Sequence, residues 1–302
     1  MEADLLWIKG RNTARPHVVF DTVTTSDFAS GNSRYWVTGT NAAFSTNKTD
    51  QITSVTSTGF VMGTDASSDQ INGNGQTTVA YTWKESATAG FDIVSYTGNG
   101  SARTISHSLS AVPEWMMIKK ISGTDAAAIY NGANGNTNGL ILDGTGGNDD
   151  ETYWNDTTPT SSVFSLGTLS NVNENTATYI AFLFAPKQGY SSFGVYSGNG
   201  NANGTYVHLG FKPAWLLIKR VNASGDQWQL SDSVRGVNGA IKTLYPDSAE
   251  VETSTDSIDH LSNGFKLRNT SVARNGSGST YVYFAFAESP FVNSKGVPNN
   301  AR

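Results

Sequence analysis

The side chains most able to do chemistry sit in a glycine-rich acidic run, GTGGNDDETYWND, from Gly144 to Asp156. Asp149, Asp150, Glu151 and Asp156 offer hard oxygen donors of the kind calcium takes. Their spacing lacks the alternating acids of a calcium loop, so a solvated acidic loop is expected, with Asp149, Asp150 and Glu151 as weak Ca2+ candidates only. His17, His107, His208 and His260 are too dispersed to suggest a metal pair. Gly-Asn-Gly at Gly73, Gly98 and Gly198 invites comparison with phosphate-cradling loops, yet none opens a helix or leads into Lys followed by Ser or Thr. Asn-Gly suits a tight hairpin turn better, because both residues tolerate positive φ. No Gly-x-Ser-x-Gly elbow occurs. The expectation is a protein that is not an enzyme and carries no obligate cofactor.

Aromatic residues offer a second chemistry. Seven Trp and twelve Tyr in a Gly, Ser and Asn-rich chain could stack on the apolar faces of sugars. Trp83, Trp115 and Trp215 fall in strand registers that predict burial, which leaves Trp36, Trp154 and Trp228 as candidates for glycan contact at the surface. Lys9, Lys119 and Lys219 each end a similar apolar run, and Asp21 and Asp232 follow at similar distances in the first and third cases. A structural ion pair is expected there, with the middle case, reading YNG, lacking the acid.

What would position such residues is written as a repeat. SYTGNGSARTISHSLSAVPEWMMIKK at Ser95 to Lys120 is matched one hundred positions later by VYSGNGNANGTYVHLGFKPAWLLIKR at Val195 to Arg220. Downstream, SSVFSLG and SNGFKLR correspond, as do TATYIAFLFAP and GSTYVYFAFAESP. The N-terminal stretch adds DLLWIKG, STGFVMG and TTVAYTWK in the same order, without a Tyr-x-Gly-Asn-Gly opening. Read with period two, the closing segments place Val79, Tyr81 and Trp83, then Ile180, Phe182 and Phe184, then Val282, Phe284 and Phe286 on one face. The opposite face is smaller and more mixed, so the first is expected to be core and the second lightly covered. WMMIKK and WLLIKR read as strands buried on both faces. The fold class is therefore all-β: tandem β-sandwich units, jelly-roll or lectin-like, over residues 1–88, 89–188 and 189–302, the first lacking its opening hairpin.

Composition supports this reading. Charged residues make up 15% of the 302, glycines number 31, and β-branched residues and Asn further disfavour long helices. The net charge of −5 and the scattered basic residues expect no nucleic-acid partner. There is no cysteine, which excludes disulfides and thiolate metal sites and suits assembly in a reducing cytoplasm. The N-terminus, MEADLLWIKGRN, does not read as a signal peptide, and no apolar run approaches bilayer length, so membrane insertion is not expected.

GFDIVSYTGNGS, TISHSLSAVPEWMMIKK, DSVRG, LSNGFKLR, YVYFAFAESPF and FVNSKGVPNNAR, taken together, resemble the tandem-repeat virion structural proteins of marine tailed phages. The likeness spans nearly the whole chain. It implies a structural or host-contacting component of a virion, tail-associated or decorating the capsid, assembled in the host cytoplasm and partnered by other virion proteins. It supplies no catalytic residues. A carbohydrate-binding adhesin that recognises a host cell-surface glycan is the alternative. The missing opening strand of the first unit leaves an edge that could be filled by residues 24–55, by residues 291–302 or by a neighbouring subunit. A homo-oligomer with this edge at an intermolecular contact is the expectation.

Overall fold

A computed structural model describes residues 2–25, 33–46, 48–66, 70–255 and 257–288. The N-terminal part contains β1 (Leu5–Gly10), β2 (Val18–Asp21), β3 (Tyr35–Val37), β4 (Ile52–Thr56), β5 (Gly59–Met62) and β6 (Thr78–Trp83). Four of these form one sheet in the order β3-β2-β1-β6, and β4 and β5 form a separate hairpin. The next part contains β7 (Phe91–Thr97), β8 (Arg103–Ser106), β9 (Trp115–Lys120), β10 (Ala128–Asn131), β11 (Leu140–Ile141), β12 (Val163–Leu166) and β13 (Thr178–Phe184). Here β11-β10-β9-β13-β7 form the large sheet and β12-β8 a small one. The last part contains β14 (Ser191–Ser197), β15 (Tyr206–His208), β16 (Trp215–Arg220), β17 (Gln229–Asp232), β18 (Ile241–Leu244), β19 (Thr253–Thr255), β20 (Ile258–Leu261), β21 (Gly264–Leu267) and β22 (Thr280–Phe286). Its large sheet runs β14-β22-β16-β17-β18-β19, and its small sheet β15-β21-β20. The architecture is an all-β sandwich in which every paired strand is antiparallel to its neighbour.

The three large sheets repeat one register. Leu5 pairs with Trp83 on one side and Asp21 on the other. Trp115 pairs in the same way with Phe184 and Asn131, and Trp215 with Phe286 and Asp232. The apolar runs that precede Lys9, Lys119 and Lys219 are buried on both faces, as their sequence demands.

The faces expected to be core do form a core, but it belongs to all three sheets at once. Trp83, Phe182, Phe184, Phe284 and Phe286 join Leu5, Trp7, Trp115 and Trp215 in a single cluster, with Val79 and Tyr81 packed against it. Ring centroids of Trp83, Trp115 and Trp7 each lie within 6.1 Å of Trp215. The opposite face of β6 is half-buried, as expected, but those of β13 and β22 are not lightly covered. Ala181 and Leu183 pack beneath β8 and β12 residues Ile105, Phe164 and Leu166, and Tyr283 and Ala285 beneath Val207, Ile258 and Phe265. A second sheet lies directly on top of that face, and the aromatic side chains of the first face fill the space where three sheets meet. Each fully buried aromatic or aliphatic side chain adds about 1.5 to 3 kcal/mol.

The Gly-Asn-Gly segments do not close hairpins between paired strands. β7 pairs with β13 while β8 pairs with β12, so Gly98 to Gly100 carries the chain from the large sheet to the small one. The turn is held from outside: Asn99 N donates to Asn173 Oδ1 at 3.0 Å, and Asn173 Nδ2 donates to the carbonyls of Ser101 and Gly167, both at 2.7 Å. Asn275 does the same for the later copy, accepting from Asn199 N and donating to Asn201 O and Asn269 O. A Cβ on Gly98 would lie 2.2 Å from Glu174 O, and Gly100 sits at φ +70°. The glycines therefore serve close backbone approach and a left-handed step. No helix among the described residues is long and apolar enough to cross a membrane.

Candidate functional site

The tryptophans expected at the surface are all buried. Trp36, Trp154 and Trp228 have no exposed area. Trp36 lies on β3 against Phe44, with the Lys119 ammonium 5.8 Å from its ring. Trp154 donates its indole N–H to Asn138 O at 3.0 Å and packs edge-on to Tyr130. Trp228 donates to Ile141 O at 2.9 Å, which ties the last large sheet to β11. Long-range packing, and not their own segments, removes these rings from solvent. They offer no stacking platform for a sugar.

The acidic loop is open but not convergent. Asp149 Oδ2 accepts from the Tyr153 hydroxyl at 2.9 Å, and its backbone bridges to Gly139. Asp150 and Glu151 are exposed. Among the described residues no three His, Cys, Asp or Glu side chains lie close enough to hold a metal ion.

The lysine and aspartate pattern is real but has a different meaning from an ion pair. Lys9, Lys119 and Lys219 are fully buried, and each donates to carbonyls at the end of its strand or in the loop beyond: Gly10 and Thr13, Asp125, and Asp226 respectively. Burial lowers all three ammonium groups to about 8. Asp21 and Asp232 instead cap the turn after their strands, accepting from the amides two and three residues on. Asn131 takes that role in the middle sheet by accepting from Asn134 N at 3.1 Å, so YNG substitutes for the acid. Burial raises Asp21 to about 6, against the pull of its hydrogen bonds from Thr24 and Val23.

Asp232 has a second duty, at the junction of the first and last large sheets. Its Oδ2 accepts from the Tyr81 hydroxyl at 2.6 Å and from Arg235 Nε. Arg235 also donates to Glu252 Oε2 at 2.6 Å, and Arg11 forms a two-pronged pair with Glu252 at 2.9 and 3.1 Å. Burial opposes the charge on Asp232, but Arg235 and the Tyr81 hydrogen bond hold its carboxyl below the usual range. Glu252 is likewise buried against its charge and held low by Arg11 and Arg235. The motif DSVRG carries half of this network in sequence; Arg11 and Glu252, 241 residues apart, carry no local signal.

Other loops fasten neighbouring sheets in the same manner. Asp125 N donates to Asn41 O, Asn148 N to Val221 O, and Thr38 Oγ1 to Pro246 O. Beside the Tyr81–Asp232 contact lies a groove of about 320 Å³, lined by residues 79–83 of β6 together with Trp215, Asp232, Val234, Arg235 and Glu288. β6 is its floor and pairs only with β1 among the described strands. The described part of residues 24–55 does not reach that edge, since β3 pairs with β2 and β4 with β5.

A family model described as a domain of unknown function, DUF7483, matches residues 1–290. The chain belongs to that family. No curated protein and no solved structure matches it. The DUF7483 match takes in all three large sheets and the junctions between them.

Proposed function

We propose that this DUF7483 protein is a phage virion structural protein, tail-associated or on the head surface, that acts through protein–protein contacts. The observation that carries this reading is where the chemistry-bearing side chains are spent. Buried Trp, Lys, Asp and Arg residues join sheet to sheet and loop to strand, and among the described residues no three His, Cys, Asp or Glu side chains gather to hold a metal ion. Three of the segments that carry the resemblance, GFDIVSYTGNGS, the WMMIKK end of TISHSLSAVPEWMMIKK and YVYFAFAESPF, supply side chains to the shared core. Its partners are other virion proteins and further copies of itself, and it is not an enzyme. The adhesin reading loses the three tryptophans that supported it.

Immunogold labelling of purified particles of the encoding phage, with antibody raised to the recombinant chain, tests the proposal. Labelling at a fixed position on intact virions supports it. Protein found only in the lysate of infected cells, with unlabelled particles, overturns it.

A further inference from the structure

The closing strands β6, β13 and β22 hold the same place in their sheets but not the same surroundings. β13 lies between β9 and β7, and β22 between β16 and β14. Both are buried from their second residue onward. β6 has β1 on one side and no described strand on the other, and five of its six residues are only half-buried. Asp4 N donates to Trp83 O and Arg11 N to Thr77 O, so the odd-numbered backbone groups of this stretch face β1. By strand alternation, the N–H and C=O groups of Thr78, Ala80 and Thr82 face the groove.

The connectivity says what belongs there. β7 follows β6 in the chain but pairs with β13, and β14 follows β13 but pairs with β22. Each opening strand is thus handed to the next sheet. The chain beyond β22 is the next in this order, and it starts from Glu288, which already lines the groove. Seven positions separate Phe184 from Ser191, the first residue of β14, and the same step from Phe286 leads to Asn293. Aligned without gaps on that step, Ser192, Gly194 and Val195 recur as Ser294, Gly296 and Val297. Residues 289–302 lie outside the described residues.

We propose that the segment around residues 293–297 of the same chain adds to β6 as an antiparallel strand and closes the circle of sheets. Carried over from the β14–β22 register, Ser294 stands opposite Thr82, Gly296 opposite Ala80 and Val297 opposite Val79. The ladder uses the free groups of Thr82 and Ala80 and ends at Pro298, which has no N–H to give to Thr78. The copy departs from β14 at Lys295, which takes the place of Phe193 and meets a groove carrying Asp232 and Glu288 as well as Arg235. This inference concerns the isolated chain and stands whether or not the protein is part of a virion.

Hydrogen exchange on the full chain, and on a chain ended at Glu288, reads the edge directly. The amides of Ala80 and Thr82 are expected to be protected in the full chain and to exchange at least about tenfold faster in the shortened one. Added peptide of sequence 289–302 should restore the protection. Should the shortened chain not fold, Thr82→Cys with Ser294→Cys in the full, otherwise cysteine-free chain decides. Mild oxidation should link the pair within one chain, well above a control pair of Thr56→Cys with Ser294→Cys. Free exchange at Ala80 and Thr82 in the full chain, cross-linking no better than the control, or links formed only between chains would each overturn the proposal; the last would assign the strand to a second copy.

Discussion

β6 and β22 carry nearly the same inward sequence pattern, Val79-x-Tyr81-x-Trp83 against Val282-x-Phe284-x-Phe286, and both reach the shared core. What separates them is the neighbour. With β14 beside it, β22 is buried over six consecutive residues, whereas β6, with one side open among the described strands, is half-buried over five. Burial of a strand is therefore set by the strand beside it as much as by its own side chains. Beside the β6 edge the described residues place an ionic network, Asp232, Arg235, Glu252 and Arg11, where the other two large sheets show a further described strand.

Several substitutions sharpen or break this contrast. The largest effect is expected at the shared core. Trp215→Ala should cost about 3 to 5 kcal/mol in urea unfolding, because the ring touches side chains from all three large sheets. A change within error would show that the sheets do not depend on one another. Asp232→Ala comes next, at about 3 kcal/mol, since it leaves the 4%-exposed Arg235 side chain without its nearest acid. Asn173→Ala and Asn275→Ala should each cost about 1 to 3 kcal/mol, and by similar amounts, if both brace their Gly-Asn-Gly crossover alike. A large cost at one and none at the other would break the equivalence of the second and third sheets. Tyr81→Phe, which removes one hydrogen bond to Asp232, is expected to cost about 1 kcal/mol.

The smallest effect is one of pH. Burial raises Asp247 to about 7, against the pull of Lys219. A carboxyl whose folded value lies above its unfolded value contributes stability that is complete below about pH 4 and lost as pH rises through 7. Asp247→Asn should therefore gain on the natural chain between pH 4 and 7. Taking the difference between two melting curves cancels the opposing contributions of His17 and His260, both lowered by burial. Parallel curves would show that Asp247 stays ionised in the fold.

The strands themselves were legible because period-two alternation and continuous apolar runs are local properties. WMMIKK and WLLIKR behave as their sequence demands. Which body each face serves was not legible: Phe182 and Phe284 face a cluster made with two other sheets, and alternation does not distinguish a unit's own core from a common one. The Gly-Asn-Gly signal gave the sharp turn but not the destination of the next strand, since sheet membership is decided by Asn173 and by β12 some seventy residues away. The burial of Trp36, Trp154 and Trp228 is hidden in the sequence for a related reason. They stand at short or irregular segments, where burial is imposed from elsewhere, by Lys119, Asn138 and Ile141 among others. The lysine positions are visible as a pattern, but their partners are backbone carbonyls, which have no signature in sequence, whereas an acid at a similar spacing has one.

Those three lysines also make the protein its own clock. An amine-modifying reagent reacts with an accessible, neutral amino group, and burial lowers Lys9, Lys119 and Lys219 to about 8 while denying the reagent access. Each is therefore inert while its loop is closed, and when that loop lifts it is solvated again and reacts as an exposed lysine does. Mass mapping of modification over time would report three separate openings, one for each large sheet, without any residue being substituted.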